Sequence, residues 1–167
     1  MPGYKGHVVG AVIANAAYVG LLETVPSQTI HKTAGLLSEW QMFVGLFVIA
    51  VLFGLWPDVD TNSKGQNIFF GIAFVADVLL ISSGRIEAAA YLGLLAMTPI
   101  IGKHRGWTHS KIAMFLVPLP IVFVPYLYRP SVLQPSLLIY GAAVIGYFSH
   151  LLLDGRIFKH FRIKGGA

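Results

Sequence analysis

Long apolar runs, broken only by short polar stretches, constrain this chain more than any other feature. Six runs can be delimited, at residues 6–22, 36–56, 66–82, 86–101, 110–128 and 136–154. Their lengths are at or near the roughly 17 to 25 residues of membrane helices. A helix satisfies its own backbone hydrogen bonds inside hydrocarbon, whereas an isolated strand does not. The pattern predicts an all-α, polytopic membrane helix bundle of about six (four to six) transmembrane or partly embedded helices.

The composition supports this class. Charged residues make up 11% of the chain and hydrophobic residues 56%, whereas soluble domains carry about 25% charged residues. With 167 residues and about 20 residues per span, we expect a single integral membrane domain over residues 1–167. The chain has no cysteine, so any metal site must use nitrogen and oxygen ligands. Residues 155–167 combine basic and apolar side chains, which is typical of an interfacial tail attracted to anionic lipid.

Prolines and tryptophans predict the shape of individual helices. Pro118, Pro120 and Pro125 fall within the fifth run, and each removes a backbone donor, so that helix should be kinked or partly irregular. Trp40 and Trp56 bracket the second run. Because tryptophan is enriched at membrane interfaces, we expect this pair to mark both interfaces of one helix.

The distribution of basic residues predicts an orientation. Threading the six runs alternately through a membrane places three basic residues on one side: Lys32, Arg85 and Arg129. The other side receives nine: Lys5, Lys64, Lys103, Arg105, Lys111, Arg156, Lys159, Arg162 and Lys164. Loops rich in Lys and Arg stay in the cytoplasm. The predicted location is therefore a bacterial or archaeal cytoplasmic (inner) membrane, with several passes and both termini cytoplasmic.

The same threading brings metal-binding residue types to one face. Seven candidates fall at the ends of different runs on the predicted cytoplasmic side: His7, Asp58, Asp60, His104, His109, His150 and Asp154. Lysines and arginines alone determined the topology, so this convergence is an independent result. We expect these seven side chains to form one metal site.

Two of the motifs contain carboxylates. His150 and Asp154 are spaced i, i+4, which places them on one helix face within reach of one ion, although such a pair can also simply cap a helix. Asp58 and Asp60 follow Pro57, which favours extended or turn geometry at Trp56. In an extended strand both carboxylates would point the same way and could supply a hard ligand and a general base. A solvated loop with turn-favouring aspartates is the alternative.

A basic loop contributes the remaining candidates. His104 and His109 flank a turn in which Thr108 could cap the fifth helix. Imidazole suits Zn, Mn, Fe or Ni, and Arg105 beside such an ion could hold a phosphate oxygen. The alternative is an ordinary basic loop, which would leave the two histidines unexplained.

Asp77 stands apart from these motifs. It lies about ten residues into the third run, so it should face protein rather than lipid. It is either a buried polar tie to Asn15 or to a backbone group, or a functional residue, and we leave it out of the core site.

The motifs resemble those of a known family. The residues that carry the resemblance are Gly6-His7, Leu55-Trp56-Pro57-Asp58-Val59-Asp60, His104-Arg105-Gly106-Trp107-Thr108-His109-Ser110 and Gly146-Tyr147-Phe148-Ser149-His150-Leu151-Leu152-Leu153-Asp154. Together they look like the YdjM-like family of inner-membrane proteins, described as metal-dependent hydrolases, and the resemblance covers nearly the whole chain. It implies that all seven candidate residues are family motif positions. A more distant similarity is to the zinc-dependent phospholipase C and P1-nuclease group. This chain lacks the further HxxxE element of that group, which favours one or two ions over three.

These observations lead to one main hypothesis. The chain is expected to be a membrane-embedded hydrolase that uses a divalent metal, with Zn favoured over Mn, Fe or Ni. Its expected substrate is an anionic phospholipid or a related amphiphile with a phosphoester bond, and the expected catalytic residues are Asp58, Asp60 and Arg105. The alternative is a non-enzymatic metal-binding membrane protein or transporter. Nucleic acid is disfavoured as a partner because the loops are short, and the oligomeric state does not follow from the sequence.

Overall fold

Helices account for all the regular structure that the computed structural model describes, which covers residues 3–24, 39–59, 64–101 and 107–157. They are α1 (Tyr4–Thr24), α2 (Trp40–Leu55), α3 (Lys64–Ser82), α4 (Ile86–Ile101), α5 (Lys111–Leu116), α6 (Pro120–Tyr128) and α7 (Leu133–Leu153). Short 3₁₀ turns at Trp56–Asp58 and Pro130–Val132 follow α2 and precede α7. The predicted all-α class is confirmed.

Four helical segments in the described residues are long and apolar enough to cross a membrane. They are Tyr4–Thr24, Trp40–Asp58, Lys64–Ser82 and Pro130–Leu153. The segments Ile86–Met97 and Lys111–Leu127 are apolar but shorter. The fold is thus a membrane helix bundle, and its spans and shorter helices correspond to the six apolar runs.

The prolines of the fifth run interrupt its helix, as predicted. Helix α5 ends at Leu116 and α6 begins at Pro120, with a turn between them. Pro118 and Pro120 have no N–H to donate, so a continuous helix would lose two successive backbone bonds here. Pro125 is accommodated within α6.

Helices α1, α2 and α7 pack against one another and form the centre of the bundle. Two glycines allow this close approach. A Cβ atom at Gly146 would overlap the backbone carbonyl of Ala50, and one at Gly54 would lie 2.8 Å from the Cβ of Ala11. Small residues let the backbones of membrane helices approach closely. Helices α3 and α4 pack as a pair beside this centre, and α6 packs on α7.

The expectation that Trp40 and Trp56 mark the two membrane interfaces of α2 stays a prediction, but the two side chains differ in burial. Trp40 is 72% exposed, as an interfacial side chain would be, whereas Trp56 is only 1% exposed. The Trp56 ring contacts Trp107 and Tyr147, with centroids 5.7 and 5.8 Å away. Trp56 therefore packs inside the protein, because the 107–110 turn covers this end of α2.

The predicted tie between Asp77 and Asn15 does not form. Asn15 is fully buried, and neither its Oδ1 nor its Nδ2 has a hydrogen-bond partner among the described residues. Oδ1 of Asp77 is also buried without a partner there. Asp77 instead lies against α4, where a Cβ on Gly93 would be 3.4 Å from its Oδ2. The two residues are on different helices, and α3 packs on α4 and α2, whereas α1 packs on α2 and α7.

Candidate metal centre

Five of the predicted ligands meet at one end of the bundle. His7 lies in the first turns of α1, Asp58 ends the turn after α2, and His109 precedes α5. His150 is in the last turn of α7, and Asp154 follows that helix directly. Because α1 begins here while α2 and α7 end here, close packing of these three helices brings the side chains together from distant parts of the sequence.

One group of ligand atoms is closely spaced. Nε2 of His109 lies 3.4 Å from Nε2 of His150 and 3.4 Å from Oδ1 of Asp58. Nε2 of His150 is 3.7 Å from the same Asp58 oxygen and 3.5 Å from Oδ2 of Asp154, which lies 3.7 Å from His109. Ligands about 2.1 Å from a tetrahedral zinc are about 3.4 Å apart. These five separations are therefore close to those between ligands of one ion.

The other two carboxylate oxygens face His7. Nε2 of His7 lies 3.5 Å from Oδ1 of Asp154 and 3.9 Å from Oδ2 of Asp58. The His7 ring stacks on His150, with ring centroids 3.9 Å apart and planes 20° apart. His7, His150 and Asp154 form one potential ligand group, and Asp58, His109 and His150 form another.

The backbone of α2 orients His150. Its Nδ1 donates to the carbonyl of Gly54, at 2.8 Å, and this bond leaves the Nε2 lone pair directed at the cluster. The carbonyl lies at the end of α2, where Pro57 has no N–H and the chain tightens into a 3₁₀ turn, so helical hydrogen bonding is incomplete. Of the two geometries expected at Trp56, the structure has the turn and not the extended strand, since Trp56 has φ −53° and ψ −40° and begins the 3₁₀ turn.

The turn that carries His109 is held by Thr108 and Tyr147. Oγ1 of Thr108 lies 3.2 Å from Nδ1 of His109, and the Tyr147 hydroxyl donates to the Thr108 carbonyl. With Nδ1 engaged, Nε2 of His109 faces the carboxylates. The prediction that Thr108 caps the fifth helix is wrong. Ser110 is the N-cap, and its Oγ accepts a bond from the N–H of Ala113 at 3.0 Å, because only this residue is followed directly by helical backbone.

Burial of the cluster favours a bound cation. The side chains of His150, His7 and Asp154 are 0%, 2% and 4% exposed, whereas that of Asp58 is 35% exposed. Oδ1 of Asp154 and Nδ1 of His7 are buried without a hydrogen-bond partner among the described residues. A buried carboxylate is costly unless it is paired or coordinates a metal. The cluster therefore fits a divalent ion, and Asp58 provides its most accessible edge.

The remaining predicted residues lie outside the described part of the chain. These are the ligands Asp60 and His104, the expected phosphate clamp Arg105, and residues 158–167 of the tail. Sequence reasoning missed the residues that hold the ligands, above all Gly54 and Tyr147. Gly54 carries no local signal, since its role depends on a histidine 96 residues away. Tyr147 precedes His150 by almost one turn, which suggested only a shared helix face.

Comparison with known proteins gives one match. The family model described as YdjM inner membrane protein matches residues 1–157. No curated protein and no solved structure matches the chain. Because the family match covers nearly the whole chain, this protein belongs to the YdjM inner membrane protein family.

Proposed function

We propose that this YdjM-family membrane protein is a metal-dependent hydrolase of phosphoester bonds in a lipid or related amphiphile. One observation carries the proposal. Three histidine Nε2 atoms and two carboxylates, from four separate parts of the chain, meet at the end of the apolar bundle, and each lies 3.4–3.9 Å from at least two of the others. Ionisable groups at a membrane are costly and are usually functional.

The donor set suits a borderline transition metal. Imidazole nitrogens combined with carboxylate oxygens bind Zn, Mn, Fe or Ni, whereas Ca and Mg prefer oxygen alone. The separations of 3.4–3.7 Å around His109 and His150 are close to those between zinc ligands, which favours Zn. A bound divalent ion would supply a Lewis acid and a means of activating water near neutral pH.

The exposed edge of the cluster suggests how a substrate approaches. Asp58 is the most exposed of the five side chains, and Trp107, beside the His109 turn, is 41% exposed. Asp58 is therefore placed at the edge of the cluster that water and substrate would reach first. Asp60 as a second carboxylate and Arg105 as a phosphate clamp remain predictions from the sequence.

A lipid substrate is supported by the location of the centre. His7 and Asp154 lie at the ends of membrane-length apolar helices, which in a membrane would bring them near the phospholipid headgroups. The asymmetry of basic residues supports a cytoplasmic position for this end, and a basic face suits an anionic substrate.

A metal transporter, or a protein that only binds an ion, is the second candidate. Asn15 supports it, because this fully buried amide lies two turns beyond His7 on the same helix and has no partner among the described residues. Transporters place polar ligands near the middle of the membrane.

Metal content and turnover test the proposal together. Purified wild-type protein should contain Zn or a related metal, and the Asp58→Asn and His150→Ala variants should contain less. Wild-type protein should release phosphate or a phosphorylated headgroup from vesicles of mixed phospholipids, and a chelator should abolish this until metal is restored. Lys5→Ala, an exposed change on α1, is the matched control and should behave as wild type.

The outcomes separate the candidates. If wild type and variants contain the same amount of metal, near zero, the proposal of a metal centre is wrong. Metal without turnover on any phospholipid, together with metal flux into liposomes that Asn15→Ala reduces, would support the transporter instead.

A further inference from the structure

We propose that the centre holds two divalent ions, bridged by Asp58 and Asp154. His109 and His150 would bind one ion, and His7 would bind the other. This inference rests on the proposed function for its chemistry, but the number of ions can be measured independently of any reaction.

The first support is the way each carboxylate divides its oxygens. Oδ1 of Asp58 lies 3.4 Å from Nε2 of His109 and 3.7 Å from Nε2 of His150. Oδ2 of Asp58 lies 3.9 Å from Nε2 of His7. Asp154 repeats the arrangement, with Oδ2 toward His109 and His150 and Oδ1 toward His7. A carboxylate that faces different ligands with its two oxygens is arranged to bridge two ions. Two carboxylates that do so in the same sense define two adjacent positions.

The second support is the stacking of two of the histidines. The lone pair of Nε2 lies in the plane of the imidazole ring, so an ion binds close to that plane. The rings of His7 and His150 are stacked at 3.9 Å and are nearly parallel. One ion shared by both would lie well out of both ring planes. Two ions, one in each plane, avoid this, and pairs of ions in hydrolytic sites are typically about 3.5–4 Å apart.

The charges of the described ligands favour an anionic substrate at such a pair. Two divalent ions bring four positive charges, and the two carboxylates offset two of them. Neutral imidazoles add none, so the centre keeps a charge of about +2 before water or substrate binds. This excess suits a phosphate group, which a pair of ions can hold through its attacking and leaving oxygens. A single ion in the same ligand set would be fully neutralised.

Metal stoichiometry tests the inference directly. Wild-type protein in detergent, loaded with Zn²⁺ and freed of excess by gel filtration, should contain two ions per chain. His7→Ala and His7→Gln should each contain one, because the four atoms around His109 and His150 remain. Lys5→Ala, two residues away and exposed, should contain two.

Electron paramagnetic resonance with Mn²⁺ provides a second readout. The loaded wild type should give the broadened spectrum of two exchange-coupled ions, and His7→Gln should give the six-line spectrum of one isolated ion. If both His7 variants lose all metal, the number of ions is decided by the wild-type Mn²⁺ spectrum, which should be broadened by exchange coupling. One Zn²⁺ per chain, or an uncoupled wild-type Mn²⁺ spectrum, overturns the inference.

This test distinguishes the two-ion inference from the proposed function. One ion per chain with chelator-sensitive phosphate release would leave the hydrolase standing and remove the second ion. Two coupled ions without any phosphoester hydrolysis would support the two-ion centre and contradict the hydrolase proposal.

Discussion

Substitution of Gly146 by alanine should separate the helices that assemble the metal centre. The added Cβ would overlap the carbonyl of Ala50 on α2, and a backbone atom cannot rotate out of the way. Overpacking of this kind costs about 1–3 kcal/mol. His150 follows one turn later on α7, and its bond to Gly54 lies one turn beyond Ala50 on α2. The same displacement should therefore lower metal occupancy.

Gly45→Ala is the matched control, because it makes the same chemical change on α2 where a Cβ would meet no atom within 4 Å. An alanine in a helix interior is favoured over glycine by about 1 kcal/mol, so this variant should be as stable as wild type or slightly more stable. Because the same helix-propensity gain applies at Gly146, the two variants should differ by the overpacking cost alone, about 1–3 kcal/mol in the free energy of unfolding.

Thermal and SDS-induced unfolding in one detergent, followed by circular dichroism, measures this difference. Zinc content after gel filtration measures the effect on the site. If Gly146→Ala has the same unfolding temperature and SDS midpoint as Gly45→Ala and keeps its zinc, close packing at Gly146 does not position the centre and this prediction is wrong.

Three further predictions concern the ligands and their supports. Tyr147→Phe removes the hydroxyl that binds the Thr108 carbonyl and should weaken zinc affinity about 10- to 100-fold, as loss of an outer-shell contact typically does. Competition with a chelating dye measures it, and unchanged affinity would contradict it. Ser110→Ala removes the cap of α5 and should cost about 1 kcal/mol in thermal unfolding, whereas Ser110→Asp should restore stability. Removal of metal by a chelator should lower the unfolding temperature of wild type, since an ion at about 100 times its Kd contributes about 2.7 kcal/mol. His150→Ala should show a much smaller decrease.

The fold class and the membership of the site followed from local features of the sequence. Apolar runs of membrane length specify helices because hydrocarbon offers the backbone no other partner. The i, i+4 spacing of His150 and Asp154 places both on one helix face, and in the structure Nε2 of His150 lies 3.5 Å from Oδ2 of Asp154. The prolines of the fifth run interrupt its helix for a local reason too, since each lacks the backbone N–H that a continuous helix needs.

The tertiary structure decided how the ligands are held and which atoms they present. Trp56 is buried because Trp107 and Tyr147, from distant segments, pack against it. Likewise the Nδ1 bond of His150 to Gly54, the stacking of His150 on His7, and the division of carboxylate oxygens between two sides depend on helix approach. These are contacts between residues far apart in the chain, and their distances depend on packing that no local pattern encodes. The sequence determined which residues gather at one end of the bundle, and the packing of α1, α2 and α7 determined the geometry in which they meet.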